Sequence, residues 1–282
     1  MRWTVRAAFA CALLAACGAP RTTSTTGLRV VSLVPSVTEI VYALGAEQTL
    51  VGNTNQCDYP EAAKHVAKVG DFMQPDMERI VALRPTLVFV TLPMHRAIIE
   101  KLGELKIPTY VSRPKDIAAV FAEIESVGTL LGRRAQADSL VAAMRARLDA
   151  LPPATDTPRV FVEISSSPLM TAGSGTFINE LVARAGGRNV FADALQEYPV
   201  IDGESVLHRN PDVILLLHPD VTLSEVGSRV GWQKLSAVRA GRVYGGLDED
   251  LLFRPGPRII EGVELLYRVM HGEKRSGQVR AD

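Results

Sequence analysis

Two rhythms of apolar residues run through this chain. Short β-branched runs predict strands at Leu28–Leu33, Thr49–Gly52, Thr86–Thr91 and Pro108–Ser112. Between them, apolar residues recur at helical spacing over Val37–Leu44, Met77–Leu83 and Arg96–Leu105. Pro35 stops the first strand, Ser36 is placed to cap the helix that follows, and Gly45 and Arg84-Pro85 supply stops. The rhythm then breaks. From Asp116 to Leu151, Ile117, Val120, Phe121, Ile124, Val127, Leu131, Leu140, Val141, Met144 and Leu148 mark one helical face. A continuous helix of that length would run ~50 Å. Gly128 and Gly132 are the points at which it would bend or divide into two. After Pro152–Pro158 the alternation resumes, with strands at Arg159–Ile164, Asp212–Leu217 and Arg242–Tyr244 and helices at Thr176–Ala185, Ser228–Leu235 and Ile259–Met270.

Strands alternating with helices predict parallel β/α units. The expected fold is α/β: two β/α lobes with parallel central sheets, residues 28–115 and 152–272, joined by one long α-helix over 116–151. Residues 273–282 form a polar tail. Loops at the carboxyl ends of parallel strands build ligand sites, so the cleft is expected between the lobes.

The amino terminus changes the picture. Arg2 and Arg6 precede the apolar run Ala7–Ala16, so residues 1–16 read as a secretory signal peptide. The run is too short to span a bilayer, which takes ~20 helical residues. Cys17 directly after Leu14-Ala15-Ala16 resembles a bacterial lipobox, which implies a diacylglyceryl thioether on its sulfur; an ordinary signal with a chance cysteine is the alternative. Residues 17–27 then form the lipidated cysteine and a Thr/Ser-rich tether. The expected location is extracytoplasmic, in the periplasm or on the outer face of the cytoplasmic membrane, anchored through Cys17.

Composition narrows the function. Hydrophobic residues make up 47% of the chain, enough for a large core. Lys+Arg and Asp+Glu both number 31, which argues against a nucleic-acid binder. Of the three cysteines, Cys11 lies in the signal and Cys17 is the lipid candidate, so Cys57 is left without an internal disulfide partner. The chain has no Gly-x-Ser-x-Gly elbow, phosphate loop, Gly-x-Gly-x-x-Gly fingerprint, His-Glu-x-x-His or Cys-x-x-Cys. A binding protein without a cofactor is expected. An exported hydrolase built from the five scattered histidines and a zinc or manganese receptor using His218 are the other readings.

Several stretches occur in a fixed order over Leu28–Met270. They are Arg29-Val-Val-Ser-Leu-Val-Pro-Ser-Val-Thr-Glu39, Asp58-Tyr59-Pro60, Met77-Glu78-Arg79-Ile80-Val81-Ala82-Leu83-Arg84-Pro85, Thr171-Ala-Gly-Ser-Gly175, Gly186-Gly187-Arg188-Asn189-Val190-Phe191 and Arg254-Pro-Gly-Pro-Arg258-Ile259-Ile260. The set resembles the helical-backbone (class III) substrate-binding proteins of ABC importers, which capture vitamin B12, haem and ferric siderophores. The pattern lies nearest the vitamin B12-binding members.

The resemblance implies a corrinoid or other metal chelate as cargo, a permease dimer with its cytoplasmic ATPase as partner, and a monomeric receptor. It implies docking to the permease through Glu78 and Glu204, one acid per lobe; solvated carboxylates at helix starts are the alternative. The expected ligand-binding residues are Pro35, Ser36, Gln56, Asp58, Tyr59, Phe72, Leu92, His95, Gly173, Tyr198, Asp248 and Arg254. Phe72 and Tyr198 match tryptophans of the B12-binding members and would pack against a macrocycle. Arg254 would hold a ligand carboxylate. His95, and likewise Tyr59, could reach an open coordination site on a chelated metal; an ordinary loop histidine is the alternative. Gln56-Cys57 and Leu92–His95 stand where those members carry aromatics, which bears on the ligand more than on the class.

Overall fold

The computed structural model describes residues 27–272. The signal segment, Cys17, most of the tether and the polar tail lie outside the described residues.

The amino-terminal lobe contains β1 (Val30–Ser32), α1 (Pro35–Ala43), β2 (Leu50–Asn53), α2 (Met77–Ala82), β3 (Leu87–Thr91), α3 (Arg96–Glu104) and β4 (Thr109–Ser112). Its sheet runs β2-β1-β3-β4, parallel throughout. The central strands are buried on both faces, which is why Val30-Val31 and Val88-Phe89-Val90 read as unbroken apolar runs. α1 starts one residue earlier than the expected Ser36 cap. Pro35 takes the first helical position, where a fixed φ and a missing N–H cost nothing, and Ser36 is buried inside the first turn.

The expected single linking helix is two helices, α4 (Ile117–Leu130) and α5 (Arg134–Asp149). Gly132 turns the chain with φ +66, a left-handed conformation that other residues adopt only under strain. The two helices lie so close that a Cβ on Gly128 would stand 2.5 Å from the Ala137 methyl. The pair is therefore a hairpin spanning both lobes. At its base the Ile117 N–H donates to Glu180 of the carboxyl-terminal lobe (2.8 Å), and Arg147 forks onto Glu264 there (3.0 and 2.8 Å). At its tip Arg133 donates to the Gly45 carbonyl at the end of α1 (3.2 Å).

The second lobe contains β5 (Arg159–Ser166), β6 (Leu169–Thr171), α6 (Phe177–Arg184), β7 (Arg188–Asn189), α7 (Gly203–Arg209), β8 (Val213–Leu216), α8 (Leu223–Ser228), α9 (Ser236–Arg239), β9 (Val243–Tyr244), α10 (Glu249–Phe253) and α11 (Ile259–His271). Its path is β6-β5-β8-β9, with β7 sharing the β6 edge of β5. β6 is antiparallel to β5, the one departure from a parallel sheet. The helix expected at Ser228–Leu235 is displaced. α8 begins at a capping box formed by Thr222 and Glu225, and Gly231, at φ +81, interrupts the chain before α9.

One apolar cluster runs through both lobes and the hairpin, joining Val30, Phe89, Ile124, Val141, Val160, Leu215 and Leu266. A buried ion pair reinforces it. Glu39 of α1 is 3% exposed and receives both arms of Arg258 from the second lobe, at 2.8 and 2.7 Å. Gly256 lets this segment close on α1: an added Cβ there would stand 3.1 Å from the Ser36 carbonyl oxygen.

Two stability predictions follow from this packing. Glu39→Gln leaves the half-buried Arg258 without its carboxylate and should cost about 3–5 kcal/mol in urea unfolding; a loss below about 1 kcal/mol would sink the claim that the pair ties the lobes. Glu123, on α4, is buried with Oε2 unpartnered, and burial raises its pKa from 4.5 to about 7 against the opposing pull of Ser112. The folded state thus holds this proton more tightly than the unfolded chain. The group's contribution is full below the unfolded value and is lost as pH rises towards the folded one. Glu123→Gln should therefore gain on the parent between pH ~5 and ~8 by up to about 3 kcal/mol; parallel pH–stability curves would refute this.

Candidate functional site

Loops at the carboxyl ends of both sheets carry the candidate residues. In the first lobe the segment after β2 folds on itself. Asn55 donates to Asp71 (2.7 Å), and Gln56 Oε1 accepts from the Phe72 N–H (2.7 Å). Gln56 is exposed, Phe72 and Leu92 are half-buried, and Tyr59, Met73 and Met94 are exposed. In the second lobe Leu195, Tyr198, Val200 and Phe253 are exposed. Burial and then Glu197 push the Tyr198 phenol up, so it remains a neutral donor.

The structure moves four of the expected contacts into other roles. Ser36 is buried against Gly256 and is closed to a ligand. Gly173 is buried too, its N–H donating to the Glu197 carbonyl at 2.8 Å; an added Cβ would strike the Gln196 carbonyl, so glycine is required by the loop that covers it. His95 is fully buried, with Nδ1 accepting from the Thr91 N–H (3.0 Å) and Nε2 donating to the Phe72 carbonyl (2.7 Å). Neither nitrogen keeps a lone pair for a chelated metal. Arg254 is committed to Asp58 (2.7 Å), Asp250 (2.8 Å) and Glu39 (3.5 Å), so it is an interlobe tie rather than a free carboxylate clamp.

The charges around that tie are uneven. Burial acts to raise the Asp58 pKa, but the Arg254 hydrogen bond and charge more than reverse it and hold the group below the usual carboxylate range. Asp250 goes the other way, raised by burial and by Asp58 and Asp248 beside it, against the pull of Arg254. Asp248 is exposed and caps α10 through the Asp250 N–H (3.0 Å). The Arg258 guanidinium lies 3.8 Å from the Tyr59 ring centroid, which holds that exposed phenol at the junction of the lobes. Pro35 begins α1 at the same junction.

Sequence reasoning missed the acids that organise both sides. Glu39 sits among apolar residues on α1, and Glu163 sits inside the buried run of β5. A lone acid in such a run demands a partner, and that was the available signal. Glu163 receives Arg229 at 2.6 and 2.7 Å and His218 Nε2 at 3.0 Å. Arg229 also lies 4.6 Å above the Trp232 ring. His218 Nδ1 accepts from the Asp220 N–H (3.2 Å), which leaves His218 no nitrogen for zinc. Among the described residues no group of three or more His, Cys, Asp or Glu could hold a metal ion.

Glu78 and Glu204 occupy matching places. Each is exposed, the second residue of its helix, and follows an Asp cap, Asp76 or Asp202. Neither forms an ion pair among the described residues. A groove of about 610 Å³ lies beside Glu78, lined by Met77, Val81, Ala82 and Leu105 together with the charged Lys101 and Glu104.

Residues 30–249 match the periplasmic binding protein family. An uncharacterized ABC transporter substrate-binding lipoprotein, YvrC, of Bacillus subtilis is 35% identical over 249 residues, covering 84% of this chain and 78% of the relative. The vitamin B12-binding protein of Vibrio parahaemolyticus is 30% identical over 240 residues, covering 83% and 86%. The apo structure of the periplasmic heme-binding protein RhuT from Roseiflexus sp. RS-1 superposes with a TM-score of 0.74 at 28% identity, covering 86% and 98%. By its fold, its ordered motifs and these matches, the chain belongs to the periplasmic binding protein family.

Proposed function

We propose that this protein is the extracytoplasmic receptor of an ABC importer, that it captures a metal chelate between its lobes, and that its preferred cargo is a corrinoid. One observation carries the ligand class. The loops at the strand ends expose Tyr59, Met73 and Met94 on one lobe and Leu195, Tyr198 and Val200 on the other, where the end of α10 adds Phe253. The arginines between and beside them, Arg254, Arg258 and Arg229, are already paired with internal carboxylates. A large ligand with apolar faces and amide edges suits that surface, since apolar contact supplies the area and a few polar groups set orientation. The B12-binding relative supports the corrinoid reading. Haem is the second reading: Tyr59 is 46% exposed, a phenolate can ligate haem iron, and the RhuT structure shares the fold.

Delivery follows from the outer surface. Glu78 and Glu204 each present a carboxylate that has no ion pair among the described residues, and the largely apolar groove beside Glu78 adds contact area. Two separated charges orient a partner and speed encounter more than they add affinity. The lipid on Cys17 would hold the receptor near its permease and raise the effective concentration there.

Two experiments test this reading. In a thermal-shift screen of cobalamin, cobinamide, hemin and ferric siderophores, a bound chelate at 100 times its Kd adds ~2.7 kcal/mol. That corresponds to a Tm rise of ~5–10 °C for a chain of this size. The corrinoids should give it, and stabilisation by zinc alone with no response to any chelate would overturn the proposal. For hemin, a Soret band unchanged by Tyr59→Phe would exclude ligation by that phenol. In the second experiment, Glu78→Lys with Glu204→Lys should abolish uptake and leave chelate affinity within about twofold. Lost chelate binding in the double variant would remove the docking assignment.

A further inference from the structure

Phe72 and His95 stand on different loops of the first lobe, and a single side chain joins those loops. His95, the residue before α3, reaches the Phe72 carbonyl through Nε2 (2.7 Å) and the Thr91 N–H through Nδ1 (3.0 Å). Its ring meets Phe72 edge-on, with centroids 5.1 Å apart at 65°. Gln56 holds the Phe72 N–H, so both backbone polar groups of Phe72 are gripped by side chains rather than by a sheet. The rest of residues 71–75 is held mainly at its ends, by a bridge between Gly70 and Pro75 and by the Asp76 N–H on the Val69 carbonyl (2.7 Å). Met73, at 63% exposed, projects from between them.

We infer that His95 is the positioning residue of this loop, and that protonating it unlatches the segment that presents Phe72 and Met73 to the ligand. The inference rests on the reading that the strand-end loops form the ligand site. The hydrogen-bond pattern requires a neutral ring with its proton on Nε2. A second proton would sit on Nδ1, where the Thr91 N–H already points, and two donors cannot share that contact. The ring must then turn, and the Phe72 carbonyl loses its donor.

Among the described residues, the carboxylates on the Phe72 loop are already engaged and no ion pair reaches the ring. On the Phe72 loop, Asp71 accepts from Asn55 and Gln56, and Asp76 caps α2 and pairs with Arg79. On α3 the adjacent Arg96 is exposed and would repel an imidazolium, and β3 meets the ring through the Thr91 backbone N–H. Burial lowers the His95 pKa, and the Phe72 carbonyl opposes it less strongly. The latch is therefore closed at neutral pH and opens only as the pH falls past the ordinary histidine value, ~6.5.

The test is hydrogen exchange of residues 70–76 in the ligand-free protein from pH ~7.5 to ~4.5, corrected for intrinsic rates, alongside cobinamide and hemin affinities over the same range. Exchange in 70–76 should rise about tenfold as His95 titrates, the size of one lost buried hydrogen bond, while α5 stays protected. Chelate affinity should fall in step. His95→Asn keeps an acceptor for Thr91 but cannot reach Phe72. It should show fast exchange and weakened affinity at every pH, with the pH dependence gone. Wild-type exchange that is flat across the range overturns the latch without needing any variant, and so does a pH-dependent His95→Asn. A pH-dependent exchange profile with no bound chelate at any pH would instead keep the latch and refute the chelate reading.

Discussion

A single buried carboxylate sets the relation between the two lobes. Glu39 lies on α1 with its carboxylate removed from water, and such a charge persists only with cationic partners. Both arms of Arg258 meet it from across the lobe boundary, and Arg254 stands 3.5 Å away. The consequences propagate outward. Arg254 draws in Asp58 from the first lobe and Asp250 from the second, and Arg258 stacks on Tyr59. Five side chains at the junction thus take their places from one buried acid.

That arrangement decides what kind of chemistry is left for a ligand. A guanidinium surrounded by three carboxylates has little positive potential to offer another anion. The second lobe repeats the logic with Glu163, which takes both arms of Arg229 and the ring of His218. Charged residues near the strand ends are therefore largely spent on structure. Beside exposed polar groups such as Gln56 and Asp248, the exposed surface there carries the large apolar and aromatic side chains of Tyr59, Met73, Met94, Leu195, Tyr198 and Phe253. On the proposed reading, such a surface suits a bulky chelate, held by shape and a few polar groups, better than a small ion.

Much of this was legible in the chain. Parallel strands buried on both faces leave unbroken apolar runs, so β1, β3, β5 and β8 could be read within a residue or two. The α4–α5 division was harder, because the apolar stripe continues through Leu131 and both helices bury the same face in one core. Gly128 and Gly132 were the signals there, and a glycine in a helical pattern has several meanings; Gly132 makes the turn and Gly128 the close approach. The site was read least well. Exposed residues such as Tyr59 and Tyr198 could be named from motif positions, but burial could not. His95, Ser36 and Gly173 have residue types common in ligand loops, and tertiary packing alone puts them out of reach. The ordering acids, Glu39 and Glu163, were visible as lone charges in apolar runs, yet their arginine partners lie over 60 residues away.

The hairpin limits how the lobes can move. A core that runs without interruption from Val30 through Ile124 and Val141 to Leu266 cannot shear far without opening voids. The hairpin is fixed to α1 at its tip and to α6 and α11 at its base, and the Glu39 pair adds a further bond across the boundary. Large hinge closure would have to break a buried ion pair and expose packed apolar surface together. The strand-end loops carry no such restriction, because side-chain hydrogen bonds such as those of Gln56 and His95 hold them rather than core packing. Adaptation to a ligand is therefore cheapest at the rim, while the two sheets keep their spacing.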